Sequence, residues 1–221
     1  MTQGLRAEYD RIYTAITQDL VQMGQLVENA IEQAMTALVE CEISLAKDVI
    51  AHDEQINQLR FQIEEACLVL IATQQPTAGD LRSVIAVMHV VIELERMGDH
   101  AAGIAKTVIK MEEEPMLKTL KKIIKMSDLS ETMLKDCLQA FVKRDTAWAR
   151  QIAAQDTAMD ELYRSIFEKL ISIMAENKKL IPRATYLMWC AHSLERIADR
   201  VTNIAEQVIF MSTGEAKELK F

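Results

Sequence analysis

The chain of 221 residues is half hydrophobic and contains only six Gly and three Pro. This composition provides a buried core and argues against a loop-rich or many-stranded β protein, so we predict an all-α fold. The formal net charge of −8 and the lack of a basic stripe argue against a nucleic-acid partner, because such binding depends on Lys and Arg contacts to phosphate. The four cysteines form no C-x-x-C pair, and neither a secretion leader nor an apolar run of about 18 residues is visible. We therefore expect a cytoplasmic protein that reaches a membrane only through a partner.

Apolar residues at spacings of three and four predict six long amphipathic helices. The first runs from Ile12 through Leu38, the second from Ser44 to Thr73, and the third follows the segment 75–79. Three more are predicted over 117–143, 146–175 and 180–211. Two prolines fall between these helices and Pro182 falls at the start of the last one, where the missing N–H group does least harm.

A short phrase occurs twice, 100 residues apart: Leu94-Glu95-Arg96-Met97-Gly98-Asp99 and Leu194-Glu195-Arg196-Ile197-Ala198-Asp199. Nine of the eighteen positions in 94–111 are identical in 194–211, where background composition predicts roughly one. Upstream, the segment 37–53 aligns with 140–156 at an offset of 103. The duplicated unit is therefore a set of three helices. We predict two tandem three-helix bundles, at 1–112 and 113–221, with the helices antiparallel.

Acidic residues interrupt the apolar rows at equivalent positions of both halves. Glu95 and Asp99, like Glu195 and Asp199, are four residues apart and so lie on one face of a helix. The second helix of each half contributes a further polar pair. If the second and third helices of each half face each other, two clusters form: Asp53, Asn57, Glu95 and Asp99 in the first half, and Asp156, Asp160, Glu195 and Asp199 in the second.

Clustered carboxylates repel one another unless a cation neutralises them, and the residues leave two candidates open. One is the adjacent arginine, Arg96 or Arg196. The other is a metal ion, since all-oxygen ligation suits Mg, Ca, Mn or Fe. His192 precedes Glu195 by three residues, but its counterpart in the first half is Ile92, so we favour a structural or supporting role for it. The twice-repeated Glu-x-x-His of di-iron carboxylate enzymes is not found, which argues against that redox chemistry.

Three segments in order resemble the PhoU family: 75–82 (QPTAGDLR), 95–100 (ERMGDH) and 194–206 (LERIADRVTNIAE). The resemblance covers nearly the whole chain. It implies a regulator, not an enzyme, that accompanies high-affinity phosphate transport and represses the phosphate-starvation response. The expected partners are the ATPase subunit of the phosphate ABC transporter and a phosphate-sensing histidine kinase, and we also expect a homodimer.

The resemblance further implies multinuclear metal clusters of Fe, Zn, Mn or Mg on paired acidic motifs. These motifs correspond here to Glu95 with Asp99, Asp156 with Asp160, and Glu195 with Asp199. The first half departs from the pattern, since Asn57 replaces an acid and Gly103 stands where the second half has Asn203, which we place beside the second site in a supporting role. Two other classes stay open: a metal-dependent phosphohydrolase and a helical scaffold protein.

Overall fold

The computed structural model describes residues 2–111, 120–215 and 219, and within them the chain forms helices and no strand. The predicted all-α class is therefore confirmed. The helices are α1 (Thr2–Glu40), α2 (Ile43–Gln74), α3 (Ala78–Met111), α4 (Leu120–Lys143), α5 (Thr146–Ala153), α6 (Asp156–Glu176) and α7 (Ile181–Thr213). A single 3₁₀ turn, Lys178–Leu180, joins α6 to α7.

The prediction of one continuous helix over 146–175 was wrong. Ala154 and Gln155 have ψ near −15° instead of the α-helical value of about −42°. The amide of Gln155 bonds to the carbonyl of Ile152 at 3.0 Å, which tightens the turn and ends α5. As a result Asp156 begins α6, whereas its counterpart Asp53 lies inside the unbroken α2.

The remaining differences from the predicted helices concern where a helix begins. Helix α1 begins at Thr2, ten residues before the first apolar position that predicted it. The predicted start of the fourth helix at 117, and the predicted boundary between bundles at 112 and 113, lie outside the described residues. The division of the chain at that boundary stays a prediction.

The helices pack in two layers. Helix α3 packs along α7 at the centre of one layer, with α2 beside α3 and α6 beside α7. Helices α1 and α4 contact each other and form the second layer, and the short α5 packs against both α4 and α7. One continuous apolar core joins both halves, and it includes fully buried residues of α1, α3, α4 and α7. The row α2–α3–α7–α6 consequently leaves one broad face of the protein to solvent.

The internal repeat is visible in the backbone as well as in the sequence. Cys41 and Arg144, 103 residues apart, both have positive φ, of 56° and 54°. At each site a backbone N–H donates to a carbonyl of the preceding helix: Glu42 to Ala37 at 3.0 Å, and Asp145 to Ala140 at 2.9 Å. This is the Schellman arrangement that ends helices. The duplication thus preserves the turn after the first helix of each unit.

Helices α3 and α7 are antiparallel, and an arginine near the start of each lies at the end of the other. Arg183 is 1% exposed and its Nη1 donates to the carbonyl of Met111, the last residue of α3, at 3.3 Å. Gly214 ends α7 with φ of 79°, and Arg82 Cζ lies 3.5 Å from the position that a Cβ at Gly214 would occupy. Cationic groups favour helix C-termini because the terminal carbonyls carry partial negative charge. The two halves are therefore related by an approximate twofold axis through the α3–α7 seam.

No helix in the described ranges is both long and apolar enough to span a membrane.

Candidate functional site

The second acidic cluster lies between α6 and α7, which run antiparallel. The pKa of Asp156 is raised from 3.8 to about 6, first by burial and then by the charges of three nearby carboxylates: Asp199, Asp160 and Glu195. Burial, followed by the charge of Glu195, also raises the pKa of Asp199. The structure therefore brings together all four residues that the sequence placed in this cluster.

Arg196 neutralises one side of this cluster. Its Nε donates to Glu195 at 2.6 Å, and its Nη1 lies 2.8 Å from Asp199 Oδ2. Glu195 is only 7% exposed, so a paired cation offsets much of the cost of burying its charge. In the second half, the adjacent arginine thus occupies the position expected of a neutralising cation.

Asp156 lies outside this arginine network. Its Oδ1 is buried and accepts no hydrogen bond from the described residues. A buried carboxylate oxygen without a donor is costly, and either a proton or a cation would relieve the cost. The raised pKa of Asp156 agrees with this, because burial disfavours the ionised form of its carboxyl group. Of the four carboxylates, Asp156 is the one whose surroundings most clearly fit an added cation.

His192 lies at the edge of the second cluster. Its Nδ1 is 3.5 Å from Glu195 Oε2, and its ring is 6.1 Å from that of Tyr163. The side chain is 52% exposed, which leaves it free to turn toward solvent. The geometry places His192 in contact with an acid of the cluster, and the supporting role expected for it stays a prediction.

The first cluster lies between α2 and α3. The pKa of Asp53 is raised, first by burial and then by the charge of Asp99, with a smaller effect from Glu95. Gly98 allows this close approach, because a Cβ there would lie 3.2 Å from Asp53 Oδ1 and 3.0 Å from Ile56. Asn57, one turn after Asp53, is partly buried. Three acids therefore meet here, fewer than in the second half.

The arginine of the first cluster is not the one that the repeat predicted. Arg60 of α2 bonds through Nη1 to Glu95 Oε1 at 3.2 Å and through Nε to Glu64 at 3.1 Å. Arg96 is exposed and is not the partner of Glu95. Comparison of the halves could not reveal Arg60, since at the offset of 103 its counterpart is Tyr163. Only a search for any arginine in the facing helix would have suggested it.

Asn203, for which a supporting or structural role was predicted, contacts the other half of the protein. Its Nδ2 donates to Glu93 Oε2 on α3 at 3.1 Å, and Arg200 Nη1 lies 3.4 Å from the same oxygen. The antiparallel register of α3 and α7 sets Asn203 opposite Glu93, so it joins the two halves, and a supporting role at the second cluster stays a prediction. Sequence analysis did not identify Glu93, because its counterpart is Ser193 and the repeat gives no signal there.

The donor set and the side-chain arrangement give different answers about metal binding. Carboxylate oxygens suit hard or borderline cations, and Asp156 presents an unbonded buried oxygen. As the side chains are placed, however, no three His, Cys, Asp or Glu residues in the described part of the chain are arranged to hold one ion. In the second cluster Arg196 already engages two of the acids. The chemistry of the second cluster therefore fits a cation on condition that Arg196 turns away.

A tandem duplication of helical bundles, with an acidic cluster in each half, places this chain among the all-α proteins built from two repeated units. The family model described as the PhoU domain matches residues 20–108 and again 123–208. The chain belongs to the PhoU family. The repeated match agrees with the predicted internal duplication.

Full-length relatives are similar throughout. The chain is 35% identical over 215 residues to the phosphate-specific transport system accessory protein PhoU homolog of Streptococcus pneumoniae, covering 97% of this chain and all of that protein. It is 33% identical to the homolog of Pseudomonas aeruginosa, over 97% of this chain and 89% of the relative. The crystal structure of the phosphate transport system regulatory protein PhoU from Streptococcus pneumoniae superposes with a TM-score of 0.90 at 34% identity, over 96% of this chain and 100% of that one. That of PhoU from Pseudomonas aeruginosa also gives 0.90, at 33% identity, over 94% and 100%.

Proposed function

We propose that this protein is a regulatory accessory protein of phosphate transport that represses the phosphate-starvation response. Its near full-length similarity to proteins named as PhoU accessory and regulatory proteins carries this proposal. It acts as a non-enzymatic adaptor that contacts the ATPase subunit of the phosphate ABC transporter and a phosphate-sensing histidine kinase. Through these partners it is held at the membrane from the cytoplasmic side.

The face formed by α2, α3, α7 and α6 supports an adaptor role. It carries both acidic clusters, and Asp99 and Asp160 are exposed there. Large apolar side chains on the outer helices of the same layer are exposed as well: Phe61, Leu68, Phe167 and Ile171. Exposed apolar groups beside charged ones are typical of surfaces that bind another protein. A basic surface on the partner would complement the acids and favour rapid association.

Charge reversal tests this docking surface. We expect Asp156→Lys/Asp199→Lys to lose capture of the kinase and the ATPase subunit in pull-down assays, while circular dichroism shows unchanged helicity. The matched control is Glu40→Lys/Asp48→Lys, which makes the same change of charge at exposed positions away from the clusters. Capture that survives in the first variant, or is lost equally in the control, would refute docking through the clusters.

We further propose that the clusters bind multinuclear metal ions, Fe, Zn, Mn or Mg, with the second site the stronger. Asp156, Asp160, Glu195 and Asp199 would hold the ions, which would supply positive charge to this acidic face. Elemental analysis of untagged protein purified without chelator tests this. More than one tightly held metal per chain, absent from Glu195→Ala/Asp199→Ala, is expected. Metal-free wild-type protein with a normal fold would leave the acids as a purely electrostatic surface.

Two further measurements separate the adaptor from its rivals. A metal-dependent phosphohydrolase would turn over a phosphate ester and lose that activity in Glu195→Ala. A helical scaffold without regulatory function would leave a phosphate-starvation reporter unchanged when the protein is deleted. We expect no turnover, and we expect the reporter to be expressed at high phosphate after deletion. Light scattering at increasing concentration tests the homodimer.

A further inference from the structure

The two halves meet a second time in the layer behind the acidic clusters, along α1 and α4. A Cβ at Gly24 of α1 would lie 2.1 Å from Leu138 Cδ1 of α4, so the glycine receives the leucine side chain. Nearer the start of α1, the guanidinium of Arg144 lies 5.9 Å from the ring centre of Tyr13. Residue numbers rise along α1 as they fall along α4, so these helices are antiparallel. We call this contact the α1–α4 seam.

Two glutamates that the repeat makes equivalent lie together in this seam. Glu28 and Glu131 are 103 residues apart, the offset that relates α1 to α4. Glu28 lies one turn after Gly24 in α1, and Glu131 lies two turns before Leu138 in α4. Because the two helices are antiparallel, both glutamates lie on the same side of the Gly24–Leu138 contact. Both are partly buried, and each side chain is desolvated by the packing of the seam. The approximate twofold axis therefore brings one carboxyl group of each half to the same level of the seam, where the charge of Glu131 acts on Glu28.

The surroundings only partly neutralise this pair. Lys135 of α4 acts favourably on Glu28, and Ser127 donates to Glu131 Oε1 at 2.7 Å. Against these, Glu32 of α1 and Asp128 of α4 add negative charge beside Glu131. A cavity of about 330 Å³ borders Glu28, Lys135 and Leu138, so protons from solvent reach the seam. Within the described residues, four acids thus share this region with Lys135, while Lys143 borders the same cavity.

We propose that Glu28 and Glu131 form a proton-sensitive latch between the two halves of the protein. When one of them holds a proton, the two carboxyl groups are compatible with a closed seam. When both are ionised, like charges oppose each other across α1 and α4, and the seam loosens while the α3–α7 seam keeps the halves joined. The latch lies in the layer behind the acidic clusters and does not depend on the proposed docking or metal sites.

The direction of the pH effect follows from the electrostatics. Burial raises the pKa of both glutamates above the usual 4.5, and the Glu28–Glu131 repulsion adds to the rise for Glu28. A carboxyl group whose pKa is raised in the folded state binds its proton more tightly there than in the unfolded chain. Stability from this pair is therefore present at low pH and is lost as the pH rises above about 4.5 through the folded-state values.

Glutamine at these positions mimics the protonated carboxyl group at every pH. We expect Glu28→Gln, Glu131→Gln and the double variant each to raise the melting temperature at pH 8, by about 2–4 °C for the double variant. The gain should shrink as the pH approaches 4.5. Because either single change removes the mutual repulsion, the two single gains should sum to more than the double variant gains. The control is Glu161→Gln, an exposed residue of α6, which should shift the melting temperature equally little at all pH values.

Hydrogen exchange locates the effect. In the wild type, after correction for the intrinsic pH dependence of exchange, amides of 21–32 and 127–139 should lose protection as the pH rises from 4.5 to 8, while those in the middle of α3 and α7 should not. In the double variant this difference should disappear. Strictly additive single gains, destabilisation by glutamine at pH 8, or pH-dependent exchange spread evenly over the chain would each overturn the latch.

Discussion

Asn203 on α7 and Glu93 on α3 are joined by a hydrogen bond of 3.1 Å across the seam between the two halves. Arg200 adds an ion pair of 3.4 Å to the same carboxylate oxygen. The equivalent point on the other side of the approximate twofold axis holds Ser193 and Gly103, with Ser193 Oγ 4.0 Å from where a Cβ at Gly103 would lie. The duplication is therefore symmetric in helices and asymmetric in the polar contacts that join them.

Glu93→Ala should reduce the free energy of unfolding by about 1–3 kcal/mol, since it leaves the partly buried Arg200 and Asn203 without this acceptor. Denaturant unfolding monitored by circular dichroism measures the change. The related substitution Ser193→Ala, at the repeat-equivalent position, should change stability by less than about 0.5 kcal/mol. Equal effects at the two positions would contradict an asymmetric seam.

Asp156→Asn should stabilise chelator-treated protein at neutral pH. The pKa of Asp156 is raised from 3.8 to about 6 in the folded state, so its ionisation opposes folding as the pH rises through that window. The gain at pH 7.5 should be about 1–2 kcal/mol after allowance for partial solvent exposure, and it should vanish below pH 4. Unfolding curves collected from pH 3.5 to 8 measure it. A gain that does not depend on pH would show that Asp156 is not the titrating group.

Gly24→Val should destabilise the protein by about 1–3 kcal/mol through overpacking against Leu138. If the clash between the new side chain and Leu138 is the cause, the loss of stability should fall by at least half when the same change is made in a Leu138→Ala background. Thermal unfolding of the four proteins in this cycle provides the comparison. An undiminished penalty would place the strain elsewhere along α1.

Arg183→Met keeps the length of the side chain but removes the cation at the end of α3. The carbonyl of Met111 then loses its buried donor, at a cost of about 1.5–3 kcal/mol. Hydrogen exchange should also speed up in the last two turns of α3, over residues 105–111. Arg164→Met on the exposed surface of α6 is the control and should leave both readouts unchanged.

Features that depend on neighbours along the chain could be predicted from the sequence. Helix content follows from apolar spacing, and the pairs Glu95 with Asp99 and Glu195 with Asp199 share a face because residues four apart always do. The segments aligned at the offset of 103 contain a repeated helix end, seen in the positive φ of Cys41 and Arg144. The break before Asp156 could not be predicted, since the apolar pattern continues through it and only the backbone at Ala154 and Gln155 departs from the helix.

The sequence by itself determined which residues are acidic, which helices carry them and that the unit is duplicated. Tertiary structure decided which donor meets which acid: Arg60 instead of Arg96 at Glu95, and Asn203 with Arg200 at Glu93. The physical reason is that contacts within a helix are fixed by its 3.6-residue period. Contacts between helices depend instead on the register in which two long antiparallel surfaces pack, and that register is set by the whole core.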